Sequence, residues 1–300
     1  MNISITGANS SVGKSLLRHI AKRDDVTATA GVRSKEALES LPISPRITPR
    51  LISYGDLDTL TPLLDRVSCV VHLTGVLFER GRSVYQRVNV ETTRAIVDAS
   101  KRANVNHMVF ISVIGAAVDS ANRYFSSKGQ AERIVADSGL SSTIIRTPIL
   151  LGPDTAGAHS LVTLASRKSA NVLGGGHYLM RPLDVDDLTQ AILRCCRVQA
   201  AGVAIHDLVG PRPTTYRDLI TKTSLLMGHD IQVGSTPIWL AKVAAAIVSG
   251  ITRSGITPTV IDVITSDETV RRNADTDLGV NLTPLCATLQ KLLDNKTQSR

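Results

Sequence analysis

Short apolar runs alternate along the first half of the chain with segments whose apolar residues recur at every third or fourth position. The first run, Asn2-Ile3-Ser4-Ile5-Thr6, gives way to a polar turn, Gly7-Ala8-Asn9-Ser10, and then to a helix predicted from about Ser11 to Ala21. A second strand is expected over 26–32, ending at Arg33, then a short helix at 35–40 and a proline-rich link through Pro42, Pro45 and Pro49. Residues 50–54 read as a third strand closed by Gly55-Asp56, and 57–64 as a brief helix. Residues 69–73 are apolar on both faces, the habit of a central parallel strand. Residues 84–103 predict the longest helix of this half, with Val88, Thr92, Ala95, Ile96 and Ala99 at helical steps. A strand at 107–113, a helix at 123–137 and a strand at 143–147, stopped by Pro148, complete the series.

Strand–helix alternation of this kind, six times over, calls for right-handed crossovers on a parallel sheet. The fold class expected is therefore α/β, a doubly wound parallel sheet of the Rossmann type. From Leu151 the rhythm changes. Gly152-Pro153, Gly157, a helix over 161–166 and Gly174-Gly175-Gly176 mark a smaller lobe. Residues 184–197 read as a helix and 203–209 as a strand returning to the main sheet; helices follow at 216–227, 237–248, 258–264 and 284–293. Three of those four carry Pro at or near the first turn, where its missing N–H costs nothing. The expected division is a dinucleotide-binding domain over 1–150, completed by 182–209, and a smaller, mostly helical lobe from 151–181 and 210–300. That lobe would form one wall of a cleft at the carboxyl ends of the strands.

A strand that delivers backbone N–H groups to a helix N-terminus cradles an anion, here the pyrophosphate of a dinucleotide. Contacts are expected from Gly7, Asn9, Ser10, Ser11, Val12 and Gly13, with Gly7 taking the tight turn and Gly13 allowing close packing. A serine, Ser10 or Ser11 according to how the motif is aligned, stands where a glycine is usual. Arg33 follows the second strand where an acid would hold the ribose diol of NAD; a guanidinium suits a 2′-phosphate, so NADP is expected over NAD. The plainer reading of Arg33 is a solvated surface side chain. Asp56 with Leu57 can contact adenine or cap the next helix. Leu73-Thr74-Gly75 would bring backbone alongside ribose and nicotinamide, Asn89 would bond strand ends across the layer, and Pro148 would bound the nicotinamide pocket.

Tyr124 and Lys128 lie four apart on one predicted helix and so share a face. An ammonium beside a phenol favours the phenolate, which lets Tyr124 pass a proton near neutral pH, and the same Lys128 can hold ribose hydroxyls. Ser112, near the end of the fifth strand, is the expected second hydroxyl for orienting a carbonyl. The catalytic candidates are thus Tyr124, Lys128 and Ser112. The bland alternative is a surface Tyr and Lys with Ser112 closing a strand end. His72 reads as a core or cleft residue, His159 and His177 as lobe residues at the substrate space or surface, and Asp186 and Asp187 as first-turn helix charges.

Composition narrows the remaining classes. Of 300 residues, 43% are apolar and 20% charged, which is ordinary for a globular chain. The formal charge of +8 is dispersed, with no basic stripe interleaved with aromatics, so no nucleic-acid partner is expected. Cys69, Cys195, Cys196 and Cys286 show no metal-ligand spacing; no metal is expected, and buried thiols in a reducing compartment are. A first strand starting at residue 2 leaves no room for a leader, so the expected location is cytoplasmic. Residues 237–248 are nearly apolar but too short to span a bilayer. They suit a buried helix, a protein partner or the periphery of the inner membrane. Monomer and homodimer both stay open.

Taken together, Thr6-Gly7-Ala8 with Gly13, Gly55-Asp56-Leu57, Val70-Val71-His72-Leu73, Val88-Asn89 with Thr92, Ser112, Tyr124 with Lys128, Ile145-Arg146, Leu151-Gly152-Pro153 and Arg181-Pro182-Leu183-Asp184-Val185-Asp186-Asp187 resemble the short-chain dehydrogenase/reductase superfamily. The resemblance is to its extended or atypical extended branch of NAD(P)-binding, epimerase/dehydratase-like proteins, and covers residues 1 to about 210. Pro237-Ile238-Trp239-Leu240, Asp267-Glu268, Leu278-Gly279-Val280 and Leu282-Thr283-Pro284-Leu285 are similar to the accessory nucleotide-binding subunit of respiratory complex I and its bacterial relatives. The departures are the missing middle glycine and a path of only 12 residues from Ser112 to Tyr124. The resemblance implies an NADP(H)-dependent oxidoreductase or epimerase acting on an unidentified small molecule. The alternative it implies is a protein that holds NADPH structurally, without turnover.

Overall fold

In the computed structural model, which describes residues 1–252 and 255–298, β1 (Asn2–Thr6) is buried from Ile3 onward and lies inside a parallel sheet. The first half runs α1 (Ser11–Ala21), β2 (Thr27–Val32), α2 (Lys35–Glu39), β3 (Ile47–Leu51), α3 (Leu57–Leu64), β4 (Cys69–His72), a π-helical stretch (Gln86–Glu91), α4 (Thr92–Arg102), β5 (His107–Val113), α5 (Arg123–Ala136) and β6 (Ser141–Thr147). The second half runs β7 (Leu150–Leu151), α6 (Ala156–Ala165), β8 (Ser169–Leu173), β9 (Leu179–Met180), β10 (Leu183–Asp184), α7 (Val185–Val198), β11 (Val203–Asp207), β12 (Thr214–Thr215), α8 (Tyr216–Leu226), β13 (Gln232–Thr236), α9 (Ile238–Thr252), α10 (Pro258–Ile264), α11 (Asp275–Leu278) and α12 (Leu285–Gln298). Seven strands form the main sheet in the order β11-β6-β5-β4-β1-β2-β3, every neighbouring pair parallel. This is the expected α/β doubly wound sheet, with the smaller helical region after it.

The order reverses between β1 and β4, so their carboxyl ends splay apart and open a crevice there. One face of the sheet buries Leu16, Leu17 and Ile20 of α1 with Leu188 and Ile192 of α7; the other buries Leu60 and Leu63 of α3, Ile96 of α4 and Val135 of α5. A third cluster joins Leu161, Leu219, Ile220, Leu289 and Leu292 in the lobe. Among the described residues, no helix is long and apolar enough to cross a membrane.

Three local readings change. The third strand begins at Ile47, not Arg50, and takes in Pro49; β3 is an edge strand, where a missing N–H leaves no ladder partner wanting. The long helix expected over 84–103 is π-helical at Gln86–Glu91 before it settles into α4, and Asn89 is fully buried on that wider turn. The lobe contains a parallel pair, β8 with β13, whose alternating exposure left no continuous apolar run to find. Cys69, Cys195 and Cys196 are buried free thiols, whereas Cys286 is exposed on α12.

Candidate functional site

Where β1 hands over to α1, Gly7 adopts φ +69°, and a Cβ there would stand 3.0 Å from the Thr74 amide nitrogen. A Cβ on Gly13 would meet the Ala8 carbonyl oxygen at 2.4 Å, so strand, turn and helix can close only around glycine. Ser10 caps α1, its hydroxyl accepting from the Gly13 N–H at 3.1 Å. The first-turn N–H groups of Ser11 and Val12 have no acceptor among the described residues, which leaves them for an anion. Gly7, Asn9, Ser10, Arg33, Leu73, Thr74 and Gly75, read separately along the chain, line one cavity of about 170 Å³. A second cavity of about 450 Å³, lined by Arg82 and Arg87 among others, shares Arg33 and Tyr54 with the first.

Asp56 caps α3 through the Asp58 N–H at 2.9 Å, and neither Asp56 nor Leu57 lines either of these two cavities. Of its two readings, the cap is the one the geometry builds. Tyr54, hidden in the sequence as the tail of a strand, holds the Thr74 hydroxyl at 2.6 Å and faces both cavities.

Asn89 acts as a clamp. Its Oδ1 accepts from the Val76 N–H at 2.8 Å, and its Nδ2 donates to the Val76 carbonyl at 3.3 Å and to the Ser127 hydroxyl at 2.9 Å. Ser127 in turn donates to the Tyr124 carbonyl at 2.7 Å. The loop after β4 is thereby tied to the helix that carries Tyr124 and Lys128. Asn122 starts that helix, its side chain accepting from the Tyr124 and Phe125 N–H groups.

Lys128 Nζ donates to the Ile111 carbonyl at 2.8 Å and lies 4.4 Å from the Phe110 ring centroid. Burial draws its pKa down to about 8, with Glu132 opposing. A Cβ on Gly75 would stand 3.8 Å from Nζ, so the ammonium adjoins the backbone of the first cavity. Tyr124 is buried against Tyr85, ring centroids 5.7 Å apart, and lines a third cavity of about 250 Å³. Burial first, then Tyr85, raises its pKa above the ordinary phenol value. The expected lowering by Lys128 is thus not what governs this phenol: burial leads, and Tyr85 adds to it.

Pro148 lines the cavity of Tyr124 rather than that of the glycine turn. Ser112 does not line it: its hydroxyl is buried without a partner among the described residues, while Val113 and Ile114 face the space. Two acids from far along the chain complete this cavity. Asp267 accepts from the Leu179 N–H at 2.7 Å, and Glu268 from the Ile149 and Arg181 N–H groups at 2.7 and 3.1 Å. Only tertiary contacts reveal that role.

The profile of the family described as "NAD(P)H-binding" matches residues 7–172. The chain is 25% identical over 241 residues to "Ceramide reductase" of Caulobacter vibrioides, covering 78% of this chain and 71% of that one. It is 23% identical over 266 residues to "4-hydroxy-2-methyl-3-oxo-4-farnesyl-3,4-dihydroquinoline-1-oxide ketoreductase" of Stigmatella aurantiaca, covering 82% and 79%. Its fold matches the structure described as "MoeE5 in complex with UDP-glucose and NAD" with a TM-score of 0.78 at 19% identity, over 100% of this chain and 99% of that one. That structure and others of the fold are described with NAD, which overturns the expectation of NADP. Arg33 itself is exposed on the cavity rim, which fits the plainer reading of a solvated surface side chain.

Proposed function

The chain belongs to the NAD(P)H-binding family of Rossmann-fold proteins related to nucleotide-sugar epimerases and dehydratases, and from that membership we propose an NAD-dependent oxidoreductase working at a carbonyl or alcohol carbon. The observation that carries the proposal is the meeting of three features: a glycine-walled cradle at α1, Lys128 beside Gly75, and Tyr124 on an adjoining cavity. The residues present fit a dinucleotide, since the first-turn N–H groups are open and Gly7 and Gly13 stand where side chains would collide with backbone. Bound there, NADH supplies a hydride and NAD accepts one.

The chain's own residues do the rest. Ser11 and Val12 N–H groups hold the diphosphate, Lys128 holds ribose hydroxyls, and Tyr124 gives its hydroxyl proton to the carbonyl oxygen or takes it back. Were its Nζ to turn from the Ile111 carbonyl toward the phenol, the Lys128 charge would lower the Tyr124 pKa. Epimerisation would use the same parts, with the hydride returned to the opposite face. Support comes also from the two relatives, both named as reductases.

The competing reading is retention of the dinucleotide without turnover. The raised Tyr124 pKa and the engagement of Lys128 with Ile111 favour it. Tyr124→Phe separates the two. It should lower kcat for NADH-dependent ketone reduction about 100-fold or more, the usual worth of a positioned acid, with NADH affinity unchanged. Equal turnover by both proteins would remove Tyr124 from the chemistry.

A further inference from the structure

The cavity in front of Tyr124 is built for an apolar occupant. Leu77, Phe125, Ile149, Met180, Val263 and Ile264 supply its walls, brought together from the loop after β4, from α5, from β9 and from α10. No lysine or arginine is among its lining residues. Its acids, Asp267 and Glu268, are committed to the backbone N–H groups of Leu179, Ile149 and Arg181.

Two arginines of the lobe are committed as well. Arg181 donates through its guanidinium to the Gly210 carbonyl at 2.7 Å, and Arg217 donates to the carbonyls of Val233 at 2.7 Å and Gly175 at 3.2 Å. A nucleoside diphosphate entering this wall would bring negative charge into apolar surroundings beside two carboxyl groups, with no lysine or arginine in the lining. Desolvation of that kind costs several kcal/mol per charge unless it is paired. An uncharged molecule instead gains about 25 cal/mol for each Å² of apolar surface it buries.

We infer that the substrate is an uncharged carbonyl compound with an apolar body, aryl or alkyl, and not a nucleotide sugar. The inference rests on the hydride-transfer reading above. In the reducing direction, a hydride from NADH adds to the carbonyl carbon and the Tyr124 proton to its oxygen. The C=O π bond breaks, a secondary alcohol and NAD⁺ result, and the phenol regains its proton from water.

The test uses the full-length protein with NADH and two neutral ketones, 4-phenylbutan-2-one and decan-2-one, followed as loss of nicotinamide absorbance. In parallel, NAD with UDP-glucose or UDP-glucuronic acid is followed by chromatography of products. The expected result is ketone reduction with the UDP-sugars unchanged. Conversion of a UDP-sugar with both ketones inert, or of both classes within tenfold in kcat/KM, overturns the inference and leaves hydride transfer standing. Inertness toward all four, with NADH still bound, overturns hydride transfer as well. Val263→Arg provides a second arm: ketone turnover should fall more than tenfold while NADH affinity, which also reports folding, is unchanged. Unaltered turnover in that variant would remove this cavity as the ketone site.

Discussion

Enclosed between Thr6 and Thr93, the His72 imidazole sits in a setting that admits no second proton. Its Nδ1 lies 2.6 Å from the Thr6 hydroxyl, its Nε2 3.1 Å from that of Thr93, and it stacks on Phe110. Burial, and then the charge of Lys128, draws its pKa down to about 3. An unfolded chain, with a histidine near 6.5, therefore binds the extra proton between about pH 6.5 and 3. Stability should fall as pH drops through that window, by about 1.4 kcal/mol per pH unit once the unfolded histidine is charged. From pH 7 to 5 this amounts to about 2 kcal/mol, and His72→Gln should lack that part of the loss in urea unfolding. An equal loss in both proteins would assign the acid sensitivity elsewhere. Lys128 acts in a separate range: with its folded pKa near 8 against an ordinary 10.5, stability rises as pH climbs between those values. At this scale the sequence disclosed the glycine turn and the Tyr124–Lys128 spacing, since both are local. It did not disclose that the Ser112 hydroxyl is buried without a partner among the described residues or that Tyr54 holds Thr74, because both depend on contacts between elements.

Among the elements, α12 shows how the last segment becomes part of the first domain's side of the molecule. Asp184 caps α7 while its buried carboxylate accepts from Thr288 and Lys291 of α12, at 2.8 and 2.6 Å. Lys291 also reaches Asp186, which accepts from Ser15 of α1. Burial would lower the Lys291 pKa, but the two carboxylates outweigh it and the net shift is upward. Lys291→Met leaves the Asp184 charge without its cation and should cost about 1–3 kcal/mol, less than a fully buried pair because Lys291 is partly exposed. Urea unfolding measures it, and a double variant with Asp184→Asn should recover part of the loss. A loss confined to the α12 region, with the sheet unaffected, would show that the tether does not couple the two. The starts of α9, α10 and α12 were legible in proline placement, whereas α6, expected over 161–166, runs Ala156–Ala165. The π-helical stretch and Pro49 inside β3 were not, since both are tolerated by their surroundings rather than favoured by propensity.

For the molecule as a whole, the crevice between β1 and β4 and the cavity of Tyr124 draw on segments from Gly7 to Glu268. A ligand that binds only the folded chain should stabilise all of it together. At 100 times its Kd, NADH should raise the unfolding free energy by about 2.7 kcal/mol, with NAD acting likewise. Calorimetry with and without NADH tests this; no shift at saturating NADH would remove dinucleotide binding from the account. By itself, the sequence determined the parallel sheet, its doubly wound class and the glycine turn between β1 and α1. Those follow from neighbouring residues, through apolar runs, crossover handedness and glycines that admit close backbone approach. Only the tertiary structure decided what the cleft admits. Its walls come from Leu77, Met180 and Val263, distant along the chain, and its acids are neutralised as contacts by backbone N–H groups that no spacing rule foretells.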